Sequence, residues 1–147
     1  MQSKTFMNHP QKIRVLVTAA AGHTGRPTVE RLLEKGFKVR ALVRKDDARA
    51  QNLRQLGAEV CLGDMSSLGD VRLAMKDVNR AYFCCAIGPG MVENAVIFAQ
   101  AANEQGLDLI VDMSHKQSRP DARSKVDRKS TRLNSSHRSL SRMPSSA

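Results

Sequence analysis

Between Val17 and Pro27 the chain reads Val-Thr-Ala-Ala-Ala-Gly-His-Thr-Gly-Arg-Pro. Ala19, Ala21, Gly22 and Gly25 leave a turn with almost no side-chain bulk, carrying only His23 and Thr24 between its two glycines. Such a turn lets an anion reach main-chain N–H groups. A helix starting at its far end adds unpaired donors and the positive end of its dipole. The chemistry this suits is the holding of a phosphate. With an apolar strand before it and an amphipathic helix after it, the phosphate is the pyrophosphate of a dinucleotide. A plain turn with a helix cap would use the same glycines. The regular alternation of elements along the rest of the chain favours the dinucleotide.

Further candidates follow other apolar runs. Arg44 stands roughly twenty residues past the glycines, where an acidic residue would accept from the ribose 2′-OH of NAD. An arginine there suits the extra phosphate of NADP instead, so NADP(H) is the expected cofactor and NAD(H) the alternative. Lys45 is placed to assist, and a solvated surface arginine is the competing reading. Asp64, in Leu62-Gly63-Asp64-Met65, is placed either to accept from an adenine amino group or to cap a turn or helix. Ala86 and Ile87 follow another run, and Ser114 and His115 the last one. No base accompanies Ser114, so nucleophilic catalysis has no support, and no catalytic residue is assigned. His23 and His115 read as surface histidines.

These residues need elements to hold them. Residues 12–18, 38–43, 59–62, 80–86 and 107–113 read as strands. Helices are expected from Thr24 or Gly25 to about Lys35, from Asp46 to about Leu56, from Ser67 to about Met75, and over 91–105. The first places Val29, Leu32 and Leu33 on one face and stops at Gly36. The last places Val92, Val96, Ala99 and Ala102 on one face and stops at Gly106. Pro27 is tolerated in a first helical turn, and Ser67-x-x-Asp70 resembles a capping box. Alternating strands and helices with right-handed crossovers give an α/β fold. It is a doubly wound, Rossmann-like parallel sheet of order 3-2-1-4-5, ending after the fifth strand. Its ligand crevice lies where strand order reverses, between the first and fourth strands.

Composition limits the alternatives. The chain of 147 residues carries a net charge of +10. The basic excess is diluted by acids over residues 1–126 and concentrated in a serine- and arginine-rich tail. With aromatics at 3%, no basic–aromatic interleaving of the kind that stacks bases is present, and no nucleic-acid partner is expected. No apolar run is long enough for a membrane span, and residues 1–11 are polar, without a signal core. The three cysteines, Cys61, Cys84 and Cys85, suit neither a disulfide framework nor a metal site. They read as buried thiols of a cytoplasmic protein. The expected organisation is a flexible 1–11, an incomplete dinucleotide-binding domain over 12–126, and a disordered 127–147. Asp127 to His137 and Ser141 to Ala147 resemble an in-frame translation of a common sequencing adapter. That tail is expected to be artefactual, with the natural reading frame continuing differently past Val126.

The runs Val17 to Pro27, Val39-Arg40-Ala41-Leu42-Val43-Arg44 and Gly63-Asp64 together resemble the NmrA-like group of atypical short-chain dehydrogenases. The resemblance covers about residues 12–120. It implies a Gly-x-x-Gly-x-x-Gly turn in which Ala19 replaces the first glycine. It implies that Arg44 meets an NADP phosphate, Asp64 the adenine, Ala86 and Ile87 the central ribose region, and Met113 and Ser114 the nicotinamide side. The Tyr-x-x-x-Lys pair of typical members is absent, and the substrate-binding part is missing. Two functions follow from the resemblance. One is NADPH-dependent hydride transfer to a small quinone or carbonyl compound, with this fragment inactive by itself. The other is a catalytically silent sensor whose dinucleotide alters contacts with a partner protein.

Overall fold

Five short apolar runs pair side by side: β1 (Arg14–Val17), β2 (Lys38–Val43), β3 (Glu59–Leu62), β4 (Arg80–Phe83) and β5 (Leu109–Asp112). Between them run α1 (Gly25–Glu34), α2 (Ala48–Gln55), α3 (Leu68–Met75) and α4 (Met91–Gln105). The computed structural model describes residues 10–114. Among these, all strand pairs are parallel and the order is β3-β2-β1-β4-β5, the doubly wound arrangement expected from the alternation. Residues 115–147, and with them His115 and the adapter-like tail, lie outside the described residues, as do residues 1–9.

The sheet is apolar on both faces because helices cover both. Val17, Val39, Ala41 and Val43 pack with Val29 of α1 and with Ala50 and Leu53 of α2. On the other face, Phe83 stacks against Phe98 of α4 with ring centroids 4.3 Å apart. The α4 face differs from the expectation. Ala95, Phe98, Ala101 and Ala102 are buried, whereas Val96 is 55% exposed. The expected stripe is shifted rather than replaced: Ala102 is buried and Val92 and Ala99 half-buried, while the Phe83–Phe98 contact turns Ala95, Phe98 and Ala101 inward in place of Val96.

Strand ladders are shorter than the apolar runs that announce them. Pro10–Lys12 forms a 3-10 turn, and pairing begins at Arg14. The fourth strand stops at Phe83 rather than residue 86, and the fifth spans Leu109–Asp112 rather than 107–113. All three cysteines are free and only half-buried, not buried as expected. Cys61 lies on the edge strand β3, and Cys84 and Cys85 follow the end of β4.

Two ionic devices fix helices to this frame. Arg40 points from the middle of β2 toward α3 and is 8% exposed. Its guanidinium donates to the carbonyls of Ala74 (2.9 Å) and Lys76 (2.7 Å) and pairs with Glu59 at 2.9 Å. A cation at the carboxyl end of α3 satisfies carbonyls that the helix itself cannot. Arg40→Met keeps bulk but strips those carbonyls of their donor. The expected loss is about 3 kcal/mol, read as a lower urea midpoint at unchanged slope. The second device joins α3 to α4. Arg72 forks onto Glu104 through two bonds of 2.7 Å. That fork, with a further bond from Gln100, pulls the Glu104 carboxyl from 4.5 to about 2.

Candidate functional site

At the carboxyl end of β1 the chain turns away from the sheet at once. Ala19 adopts a left-handed conformation, φ +49°, and its carbonyl accepts from Gly22 N at 2.9 Å. The turn then folds so tightly onto α1 that a side chain at position 25 has nowhere to go. A Cβ on Gly25 would overlap the Ala19 carbonyl oxygen and lie 2.7 Å from its carbon and 2.8 Å from Ala20 Cα. Gly25 is therefore needed for the close approach of helix to turn. Gly22 is less constrained: a Cβ there would sit 3.1 Å from the Ala19 oxygen.

Thr24 precedes α1 without a side-chain cap bond, and no acid occupies the first helical turn. Arg26 N is claimed by Gly22 O at 3.1 Å. Among the described residues, the N–H groups of Ala21, His23, Thr24 and Gly25 have no acceptor. A turn with unclaimed donors beside an uncapped helix start can accept an anion. Left-handed backbone at an alanine costs roughly 1–2 kcal/mol. Ala19→Gly removes that strain, less the entropy glycine adds to the unfolded chain. The expected net gain is about 1 kcal/mol, a rise in thermal midpoint of about 4–8 °C by calorimetry.

The strands on either side of the reversal point are held by a side chain that sequence reading did not single out. Thr18 is fully buried. Its N–H makes the last main-chain bond to β4, to Tyr82 O at 3.1 Å. Its hydroxyl then accepts from Cys84 N at 2.8 Å and donates to Cys84 O at 2.7 Å. The hydroxyl thus extends the pairing by one rung after the β1 backbone has departed. Thr18→Val preserves shape but leaves both Cys84 groups unpartnered, for an expected loss of about 1–3 kcal/mol. Thr18→Ser should restore it, as chemical denaturation of the pair will show.

The other candidates follow the neighbouring strand ends. Arg44, directly after β2, is exposed, and it has no ion-pair partner among the described residues. The acids beside it are already engaged: Asp46 with Arg54 at 2.6 Å, and Asp47 with Arg49 at 2.7 Å while capping α2. Arg44 is therefore left without an ion-pair partner among the described residues, its charge felt at longer range by Asp64. Asp64 follows β3 and works as a turn cap: its Oδ1 accepts from Ser66 N (2.8 Å) and Ser66 Oγ (2.7 Å). Those bonds, with a smaller contribution from the Arg44 charge, lower its pKa. Asp70 supports the same turn, since its carboxylate accepts from Asp64 N at 2.9 Å while Ser67 Oγ accepts from Asp70 N at 3.2 Å. The capping box is therefore half realised, its reaching-back arm going to Asp64 instead of Ser67. Met65 is partly buried in this turn, and Ala86 and Ile87 are exposed beyond β4. Ser114, the last described residue, is exposed. Topology thus carries the turn, Arg44, Asp64, Met65, Ala86 and Ile87 to the carboxyl edge of one sheet.

Comparison with known proteins bears on the fold and the family. A family model described as NAD(P)H-binding matches residues 19–139. Curated relatives include sterol demethylase protein B of Methylococcus capsulatus, 39% identical over 71 residues, which are 48% of this chain and 21% of that protein. Another is the chloroplastic divinyl chlorophyllide a 8-vinyl-reductase of Arabidopsis thaliana, 39% identical over 74 residues, 45% of this chain and 18% of that protein. The chain spans about a fifth of the length of these relatives. Among solved structures, triphenylmethane reductase of a Citrobacter species has a TM-score of 0.75 at 19% identity, covering 88% of this chain and 46% of that one. The same reductase complexed with NADP(H) gives 0.72 at 20% identity, covering 85% and 45%. The NADPH-dependent quinone oxidoreductase QOR2 of Escherichia coli gives 0.72 at 18% identity, covering 83% and 44%. The likeness to these structures is one of fold. With the family match covering most of its length, from the Ala19 turn onward, this chain belongs to the NAD(P)H-binding family.

Proposed function

We propose that this chain is the dinucleotide half of an NADPH-dependent reductase that passes hydride to a small quinone or carbonyl compound. The observation that carries the reading is the turn after β1, with four unclaimed N–H groups packed onto an uncapped helix start. Those donors would hold the pyrophosphate, and Arg44, unpaired, would meet the additional phosphate of NADP. Asp64 keeps one carboxylate oxygen for the adenine while the other caps its turn. Ala86 and Ile87 would line the path toward the nicotinamide. The bound cofactor supplies the hydride, and the protein supplies binding and orientation. The substrate would be held by a part of a longer protein, since the chain spans under half of each reductase it resembles in fold. No described helix is long and apolar enough to cross a membrane, and three free thiols suit the cytoplasm.

Fluorescence titration with NADPH and NADH, followed by NADPH oxidation assays against quinones and carbonyls, tests the reading. Tighter binding of NADPH, with little turnover by the 147-residue chain and turnover once the chain is extended, is the expected result. Absence of dinucleotide binding would overturn it. Binding retained by an extended chain that never turns over would favour the sensor, in which the dinucleotide controls a partner protein.

A further inference from the structure

The edge strand β5 has two unlike faces. On the α4 side, which it shares with Phe83, Ile110 and Asp112 are half-buried. On the opposite side Leu109 is 49% exposed, Val111 51% and Met113 44%. The register sets Leu109 beside Arg80 and Val111 beside Tyr82, and Tyr82 packs against the core beneath α1 and α2. The helical layer over that face therefore stops at β4, and an apolar strip runs on uncovered from its rim. Arg80 is a second and independent sign. Its side chain has no hydrogen bond or ion pair among the described residues, and its Nε is buried without an acceptor. A buried guanidinium nitrogen without an acceptor is costly. We propose that this strip is the docking face for an amphipathic helix from the remainder of the longer protein, lying beside α1 and setting an aspartate or glutamate against Arg80. The proposal rests on the reading of this chain as one part of a longer reductase, and is independent of its choice of cofactor.

The occupant follows from the shape and charge of the strip. A parallel sheet is stable with helices over both faces, and here one face lacks its cover over β5 alone. From Leu109 to Met113 the strip is about 13 Å long at about 3.3 Å per strand residue. Two to three helical turns of about 5.4 Å match that length, with apolar residues at every third or fourth position. The polar requirement is a carboxylate, because Arg80 is a cation that lacks an acceptor. A second copy of this chain fits less well. The described residues of β4 and β5 on this face are Arg80, Tyr82, Leu109, Val111 and Met113, with no acid among them. Self-pairing through it would add a second arginine to the interface and no carboxylate.

The test compares the 147-residue chain with the longer protein. Val111→Cys places a thiol on the strip at small cost in bulk. Maleimide labelling at position 111, followed by peptide mass, should be fast in the short chain and slower by about tenfold or more in the longer one. Arg80→Met should leave the urea midpoint of the short chain unchanged or raise it, since it removes an unpartnered polar atom, and should lower that of the longer protein. Equal labelling in the two, with the longer protein shown to be folded by circular dichroism, would overturn the docking face. So would an Arg80→Met effect of the same sign and size in both. Labelling of the short chain that slows as its concentration rises would give the face to a second copy and overturn the proposal as well. Absence of NADPH binding, with labelling still slowed in the longer protein, would strike the proposed function and leave the docking face standing.

Discussion

Gly25→Ala should disable the molecule more completely than any other single methyl group added to it. The new Cβ would overlap the Ala19 carbonyl oxygen and meet Ala19 C at 2.7 Å and Ala20 Cα at 2.8 Å. All of these are backbone, so no side chain can rotate aside. Relief requires α1 to lift off the end of β1. That lift breaks the bond from Arg26 N to Gly22 O and exposes Val29, which is fully buried beneath the helix. Overpacking of this kind costs about 3 kcal/mol, or more where the backbone is the obstacle. Gly22→Ala is the control: its Cβ would approach one oxygen at 3.1 Å, a contact that a shift of a few tenths of an ångström relieves. Chemical denaturation should therefore rank the proteins wild type, Gly22→Ala and then, far below, Gly25→Ala. The lifted turn should also abolish NADPH binding in whatever fraction of Gly25→Ala folds. A Gly25→Ala protein with the wild-type urea midpoint would contradict the close approach.

What could be read in the sequence was what depends on neighbours in the chain. The glycine turn, the alternation of elements and the order of five strands come from local apolar runs and turn residues, and crossover handedness does the rest. The features that escaped depend on distant pairs. Thr18 sits 66 residues from Cys84, and nothing around either one announces their two hydrogen bonds. Arg40 sits 34 residues from Ala74. A lone arginine inside Val39-Arg40-Ala41-Leu42-Val43 was the available sign, since a charge between buried strand residues requires a partner. The inward stripe of α4 was ambiguous because apolar residues cover most of the helix, and a cross-element ring contact decides it. Asp64 was balanced between two roles, and the structure supplies the partner, Ser66, that makes it a turn cap.

The second large effect concerns cofactor choice. Arg44→Ser should weaken NADPH binding by about ten- to a hundredfold, the equivalent of one charge-assisted hydrogen bond of about 1.5–3 kcal/mol. NADH, which lacks the 2′-phosphate, should bind with nearly its original affinity. The discrimination depends on the neighbouring acids staying occupied. Asp46 and Asp47 are committed to Arg54 and Arg49, so they do not compete for Arg44 at the strand end. Arg54→Met tests that dependence, because it frees Asp46 two residues away from Arg44 while leaving Arg44 in place. It should lower NADPH affinity, but by less than Arg44→Ser does, and raising salt should narrow the gap by screening the freed carboxylate. Equal losses for NADPH and NADH in Arg44→Ser would assign Arg44 to the shared part of the dinucleotide. No loss for either would return it to the solvated surface.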